Sequence, residues 1–165
     1  MHNVARHLQV EAMKLLPASE ADADAYARSA FNRYYYATFL CVRETLITLD
    51  DGYGRSLSHK AIPETLRGKV QRKIISIKSR ANKIGDAKLV RECHQVSAQN
   101  LAFAADLEKA YAIRVVADYT PDARVDFRSE RFTLSGVPVT EAHGWMGKAN
   151  FWSSRVLQLV KQENA

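Results

Sequence analysis

An all-α fold is expected, an up-and-down bundle of four to five helices with a short β-hairpin or extended excursion before the last one, and three observations predict it. Apolar residues recur at spacings of three and four along two long stretches, Phe31 to Leu49 and Val90 to Tyr111. Helix-stopping chemistry separates the stretches, at Pro17, at Asp50-Asp51-Gly52-Tyr53-Gly54 and at Pro121. Only residues 125–139 abandon the helical period. With 165 residues, 47% of them hydrophobic, the chain suffices for one domain, residues 1–165, with its own core.

Residues 3–16 set Val4, Leu8, Glu11 or Ala12, and Leu15 on one side of a short amphipathic helix. Ser19 caps a second helix, and Glu20, Asp22 and Asp24 suit its positive N-terminal end. That helix runs to about Leu49, because Phe31, Tyr35, Phe39, Val42, Leu46 and Leu49 make one continuous stripe. Ser58 caps a short segment with Pro63 in its first turns. Residues 69–81 predict a basic helix with Val70, Ile74 and Ile77 inward and Lys69, Arg72, Lys73 and Arg80 outward.

A long helix from Asp86 to Tyr119 carries Val90, Cys93, Ser97, Leu101, Ala104, Leu107 and Tyr111 on its buried side. In residues 125–139, Val125, Phe127, Arg131, Phe132 and Leu134 precede a Ser135-Gly136 turn, with Val137 and Val139 after it. The last helix, residues 140–162, presents Ala142, Trp145 or Met146, Ala149, Trp152, Val156 and Leu159; only Gly144 and Gly147 argue against it.

Charge is unevenly spread. Residues 67–91 hold nine Lys or Arg against one acid, Asp86, a local +8 in a chain of formal charge +6, which leaves −2 elsewhere. Such density is either a solvated face or a footprint for phosphates, and Lys69, Arg72, Lys73, Lys78, Arg80 and Lys83 are the candidate RNA-binding residues. Cys41 and Cys93 show no CxxC spacing, so both are expected reduced and mostly buried. No signal-peptide run occurs, nor any stretch of roughly 18 apolar residues, and a soluble cytoplasmic protein without a membrane partner is expected. HExxH, GxxxxGK[ST], GxSxG and clustered Cys/His ligands are all missing, so no metal and no cofactor are expected. Asp22 and Asp24 are spaced like a carboxylate pair, but helix capping explains them more simply.

On the second helix Arg33 points about 160–200° away from the core stripe, with Tyr36 and Leu40 as neighbours. It either pairs with an acid of another helix or faces a groove. Arg114 and Asp118 continue the line of Leu107 and Tyr111, an i, i+4 pair entering an apolar stripe. His59, in a turn, is either a surface or capping residue or a proton carrier poised near neutrality.

The run Arg-Ser-Ala-Phe-Asn-Arg-Tyr-Tyr-Tyr-Ala-Thr-Phe at residues 28–39 resembles the second-helix signature of the HEPN superfamily, with Arg33, Tyr35, Tyr36, Ala37 and Phe39 carrying the match. Those are small helical domains of bacterial and archaeal toxins, defence systems and nucleotidyltransferase partners. Arg114-Val-Val-Ala-Asp-Tyr119 is similar to the Arg-x-x-Ala-Asp-Tyr run that follows the long helix there, and Ser58-His59-Lys60 resembles a Lys/Ser-His of one branch. The resemblance implies a homodimer, a cleft at its interface, Arg33, His59 and Arg114 as candidate catalytic residues, and Tyr36, Asp118 and Tyr119 as structural or cleft residues.

The family's ribonucleases carry Arg, four to six residues, then His. Here Arg55 and His59 are separated by three residues and Arg91 and His94 by two, so that signature is absent. The expectation is therefore a non-catalytic or accessory module of a defence or toxin-antitoxin system. It would bind RNA or a partner protein such as a nucleotidyltransferase, an antitoxin or a nuclease effector. The alternative is a metal-independent endoribonuclease acting at the dimer interface.

Overall fold

In the computed structural model, which describes residues 1–54, 57–128 and 131–163, the chain is an all-α bundle with a small antiparallel sheet ahead of its last helix. The long helices are α1 (His2–Leu15), α2 (Glu20–Leu49), α5 (Gln71–Lys83), α6 (Ala87–Tyr119) and α7 (Val139–Glu163); α3 (Asp51–Gly54) and α4 (Ala61–Thr65) are single turns, and a π turn, Leu66–Val70, leads into α5. Arg55, whose separation from His59 misses the Arg-x(4–6)-His pattern, lies outside the described residues. The chain forms two compact units: residues 1–40 with 109–147, and residues 41–108 with 148–165.

The first unit is built on the stripe of α2. Phe31, Tyr34 and Tyr35 are buried with Ala110, Ile113 and Ala117 of α6 and Trp145 of α7. Serine caps α2 as expected, Ser19 Oγ accepting the Asp22 N–H at 3.2 Å. On α1 the expected stripe holds at Leu8, packed against the core, and at the buried Ala12, but at its start Ala5 takes the inward place expected of Val4, which is 52% exposed. Two alanines one above the other let the helix backbone come close, and a branched side chain there would hold it off.

The excursion is a three-stranded sheet in the order β1 (Val125–Asp126), β2 (Thr133–Leu134), β3 (Val137–Pro138). Ser135 and Gly136 both take positive φ, 47° and 76°, the conformation a tight two-residue hairpin turn requires. Register sets Val125 opposite Leu134 and Leu134 opposite Val137, so all three face the core. Phe132 meets Phe31 edge-on at 5.9 Å, and its carbonyl accepts the Val139 N–H at 3.0 Å, which starts α7. A Cβ at Gly144 or Gly147 would meet nothing within 4 Å, so these glycines serve no packing need and cost only about 1 kcal/mol each in helix propensity.

Tyr34, which the stripe left unassigned, is fully buried, and its hydroxyl donates to Gln9 Oε1 at 2.7 Å. Burial pushes its phenol from 10.0 up to about 12; burial, then the neighbouring Tyr111, pushes Tyr35 up as well. A raised acid stabilises the fold fully below its unfolded value and loses that contribution as pH rises through the folded one. Unfolding free energy, measured by urea titration, should fall from pH about 10 towards about 12, with a shallower fall in Tyr34→Phe. Equal slopes in the two proteins would refute it.

The second unit buries Val42, Leu46 and Leu49 of α2, Ile74 and Ile77 of α5, and Trp152, Val156 and Leu159 of α7. On α6 the buried line runs through Cys93, Val96, Asn100 and Phe103, and Leu101, expected inside, is 43% exposed. Asn100 displaces it for a polar reason: its Oδ1 accepts the Trp152 Nε1–H at 3.0 Å, and its Nδ2 donates to the Leu66 carbonyl at 2.8 Å and to Gln71 Oε1 at 3.2 Å. Gln71 in turn donates to Ser97 Oγ at 2.6 Å. Cys93 is buried and Cys41 half-buried; both are free thiols, pushed up chiefly by burial. Among the described residues no helix is long and apolar enough to cross a membrane, and no group of three His, Cys, Asp or Glu is placed to hold a metal ion.

Candidate functional site

In the first unit, α2 and α6 bring together four of the residues singled out from the sequence. Arg114 and Asp118 sit one turn apart on α6, as do Asn32 and Tyr36 on α2. Arg114 Nη2 donates to Tyr36 Oη at 3.1 Å and pairs with Asp118 Oδ2 at 2.9 Å, while Asp118 Oδ1 accepts from Asn32 Nδ2. The guanidinium lies 5.5 Å from the Tyr36 ring centre and 5.3 Å from that of Tyr119. Burial alone would lower the Arg114 pKa, but Tyr36, Asp118 and Tyr119 together outweigh it and raise it.

The Arg114 side chain is largely covered, while Tyr119 at the edge of the cluster is 68% exposed. Side chains of Arg114 and Asp118 are only 12% and 23% exposed, and Arg114 Nε is buried with no partner among the described residues. A cation that stabilises a phosphorane must present donors to the reacting oxygens. Arg114 instead directs its Nη2 donors at its own helix and at Tyr36. Asn32 completes the cluster and was not singled out; its only signal was the i, i+4 relation to Tyr36.

Arg33 is exposed on α2, and no ion pair with an acid of another helix is seen for it among the described residues. His59 belongs to the second unit, half-buried in the turn before α4. There the cap is Ser58, whose Oγ accepts the Ala61 N–H at 3.3 Å.

Arg28, the first residue of the aromatic run, closes the C-terminal end of α6. Its Nη1 donates to the carbonyls of Val116 and Ala117, both at 3.2 Å, and its Nη2 to those of Thr120 at 3.1 Å, Pro121 at 3.3 Å and Ala123. These carbonyls lie at and beyond the helix end, where the dipole is negative; Val116 O also accepts the Thr120 N–H and Thr120 O the Ala123 N–H, both at 3.1 Å, so Arg28 adds a second donor there. Asp24 aims the guanidinium through Arg28 Nε at 2.7 Å and accepts the Val125 N–H at 2.8 Å with its other oxygen. The capping role expected of Asp24 is therefore corrected: it is 8% exposed and joins α2 to the cap of α6 and to β1.

In the second unit the basic segment forms one helix face. At about 100° per residue, Arg72, Arg80 and Lys83 fall within an arc of about 100° with Ser76 and Ser79, opposite the buried Ile74, Ile77 and Ala81. Lys73 and Lys78 lie on the flanks and are half-buried, so the outward placement expected of Lys73 holds only in part. Lys69, on the π turn, is exposed with its ammonium 5.3 Å from the Tyr53 ring centre. Arg67 is committed to Glu108 in a two-pronged pair, one prong of 2.7 Å. No protein-family model, curated protein or solved structure matches the chain.

Proposed function

We propose that the chain is a HEPN-like, non-catalytic or accessory module of a bacterial or archaeal defence or toxin-antitoxin system, and that it binds RNA through the α5 face. The observation that carries this reading is the exposed set Lys69, Arg72, Arg80 and Lys83, on a segment, residues 67–85, that contains no acid. Guanidinium and ammonium groups spaced along one helix face release counterions from a phosphate backbone without reading bases. Supporting the non-catalytic half, the Arg114 guanidinium is turned onto Tyr36 and Asp118, and the Arg-x(4–6)-His spacing is missing. A homodimer, a cytoplasmic setting and a partner protein such as a nucleotidyltransferase, an antitoxin or a nuclease effector are part of the same proposal and rest on the HEPN resemblance.

The test is incubation of the purified protein with total RNA in EDTA, read by gel shift and by RNA integrity. Wild type should shift RNA and leave it intact. Replacing Lys69, Arg72 and Lys83 with Glu should weaken binding by about tenfold to a hundredfold and reduce the salt slope by about 2. Unchanged binding would leave α5 as a solvated face. RNA fragments that disappear with Arg114→Ala or His59→Ala would replace this reading with the ribonuclease one.

A further inference from the structure

A cavity of about 530 Å³ opens in the first unit between α1, the segment entering β2 and the start of α7, lined by Arg6, Gln9, Val10, Arg131, Thr140 and His143. Three of these side chains are cationic or can become so, two offer neutral hydrogen-bonding groups, and none is an acid. Glu141, the nearest acid of α7, is held by Lys109 at 2.8 Å. Among the described residues the lining thus offers cationic and neutral donors and no carboxylate, which favours an anion.

One wall is fixed in place. His143 stands edge-on to Tyr34 at 5.5 Å and tilted against His2 at 4.9 Å, and its carbonyl meets His2 Nε2 at 3.3 Å. Partial burial, then the nearby His2 and Arg6, hold the His143 imidazole below its ordinary pKa, an independent sign that the local field is positive. The volume falls within the range of small-molecule sites, above what a bare ion needs. Arg6 and Arg131 both line this concavity, and a guanidinium suits a terminal phosphate dianion in charge and in its planar donor pair, while a concave site admits a chain end rather than a continuous backbone.

We propose that this cavity binds a phosphate monoester carried on a small organic body, Arg6 and Arg131 closing on the phosphate and Gln9, Thr140 and His143 meeting the remaining polar groups. The site lies apart in the chain from α5 and does not depend on the RNA reading. Its ligand chemistry has two sources, a free phosphorylated metabolite or the 5′-phosphate end of an RNA.

Nuclear magnetic resonance of the His143 ring tests it in the whole chain, with inorganic phosphate, glycerol 3-phosphate, adenosine 5′-monophosphate, and one oligoribonucleotide with and without its 5′-phosphate. A phosphate ester should move the His143 resonances saturably and raise the His143 pKa, since it counters the field of His2 and Arg6; the Lys109-Glu141 pair stays unchanged. Arg6→Ala and Arg131→Ala, both at exposed positions, should each weaken binding by about tenfold or more. Saturation by the phosphorylated oligonucleotide as well as the small esters assigns the RNA end; saturation by the small esters alone assigns a metabolite. The proposal falls if adenosine acts like its monophosphate, if no ester saturates at millimolar concentration, or if both arginine variants bind as wild type does.

Discussion

Arg28→Ala is expected to lower the unfolding free energy by about 3–5 kcal/mol, the range for removing one partner of a buried, hydrogen-bonded ion pair. Three losses combine. Asp24, 8% exposed, is left with an uncompensated charge; five carbonyls between Val116 and Ala123 lose the guanidinium, although those of Val116 and Thr120 keep a backbone donor; and the turn that leads α6 into β1 loses its anchor. Arg28→Lys separates charge from geometry: an ammonium restores the cation but cannot fork across five carbonyls, so it should recover less than half of the loss. Urea denaturation of the three proteins decides the matter. A loss within about 0.5 kcal/mol, ordinary for surface substitutions, would mean the cap does not hold the helix end.

Asn100→Leu should cost about 2–4 kcal/mol although leucine is apolar and similar in size, because the replacement strands polar groups on three elements. The Trp152 indole N–H, the Leu66 carbonyl and the Gln71 amide all face Asn100, which is fully buried. A double-mutant cycle with Trp152→Phe sharpens this. Because the indole bond is already lost in the Asn100→Leu background, the second substitution should cost less there, with a coupling of about 1 kcal/mol. Strict additivity would remove the bond from the account.

The two longest helices were legible because their stripes are long: observed bounds of α2 and α6 fall within a residue or so of those read from Phe31 to Leu49 and Val90 to Tyr111. The turn at Ser135-Gly136 was legible for a local reason too, since those types tolerate positive φ. Failures share a cause. Val4 and Leu101 are more hydrophobic than Ala5 and Asn100, yet the latter are buried, because close backbone approach favours alanine and a polar junction demands an amide.

At the candidate site, the Arg114-Asp118 pair could be read from spacing within one helix. Its contacts with Tyr36 and Asn32 could not, being made by another helix. Arg28 shows this most sharply, since the carbonyls it serves lie 88 to 95 residues away and its own neighbourhood looks like any helix surface. Arg6, Arg131 and His143 converge from three distant segments, and nothing local marks them as a set.

The π turn at Leu66–Val70 acts as a clutch on the helix that follows it. Its i, i+5 bonding takes in one more residue than an α-helical turn, and each residue advances the screw by about 100°. Which way Arg72 and Lys83 point is therefore dialled upstream, by the backbone count between Leu66 and Val70, and not by anything around the cations themselves. Asn100 engages the clutch by holding the Leu66 carbonyl. The backbone turn that sets the phase of the basic helix is thus also a partner of a buried amide.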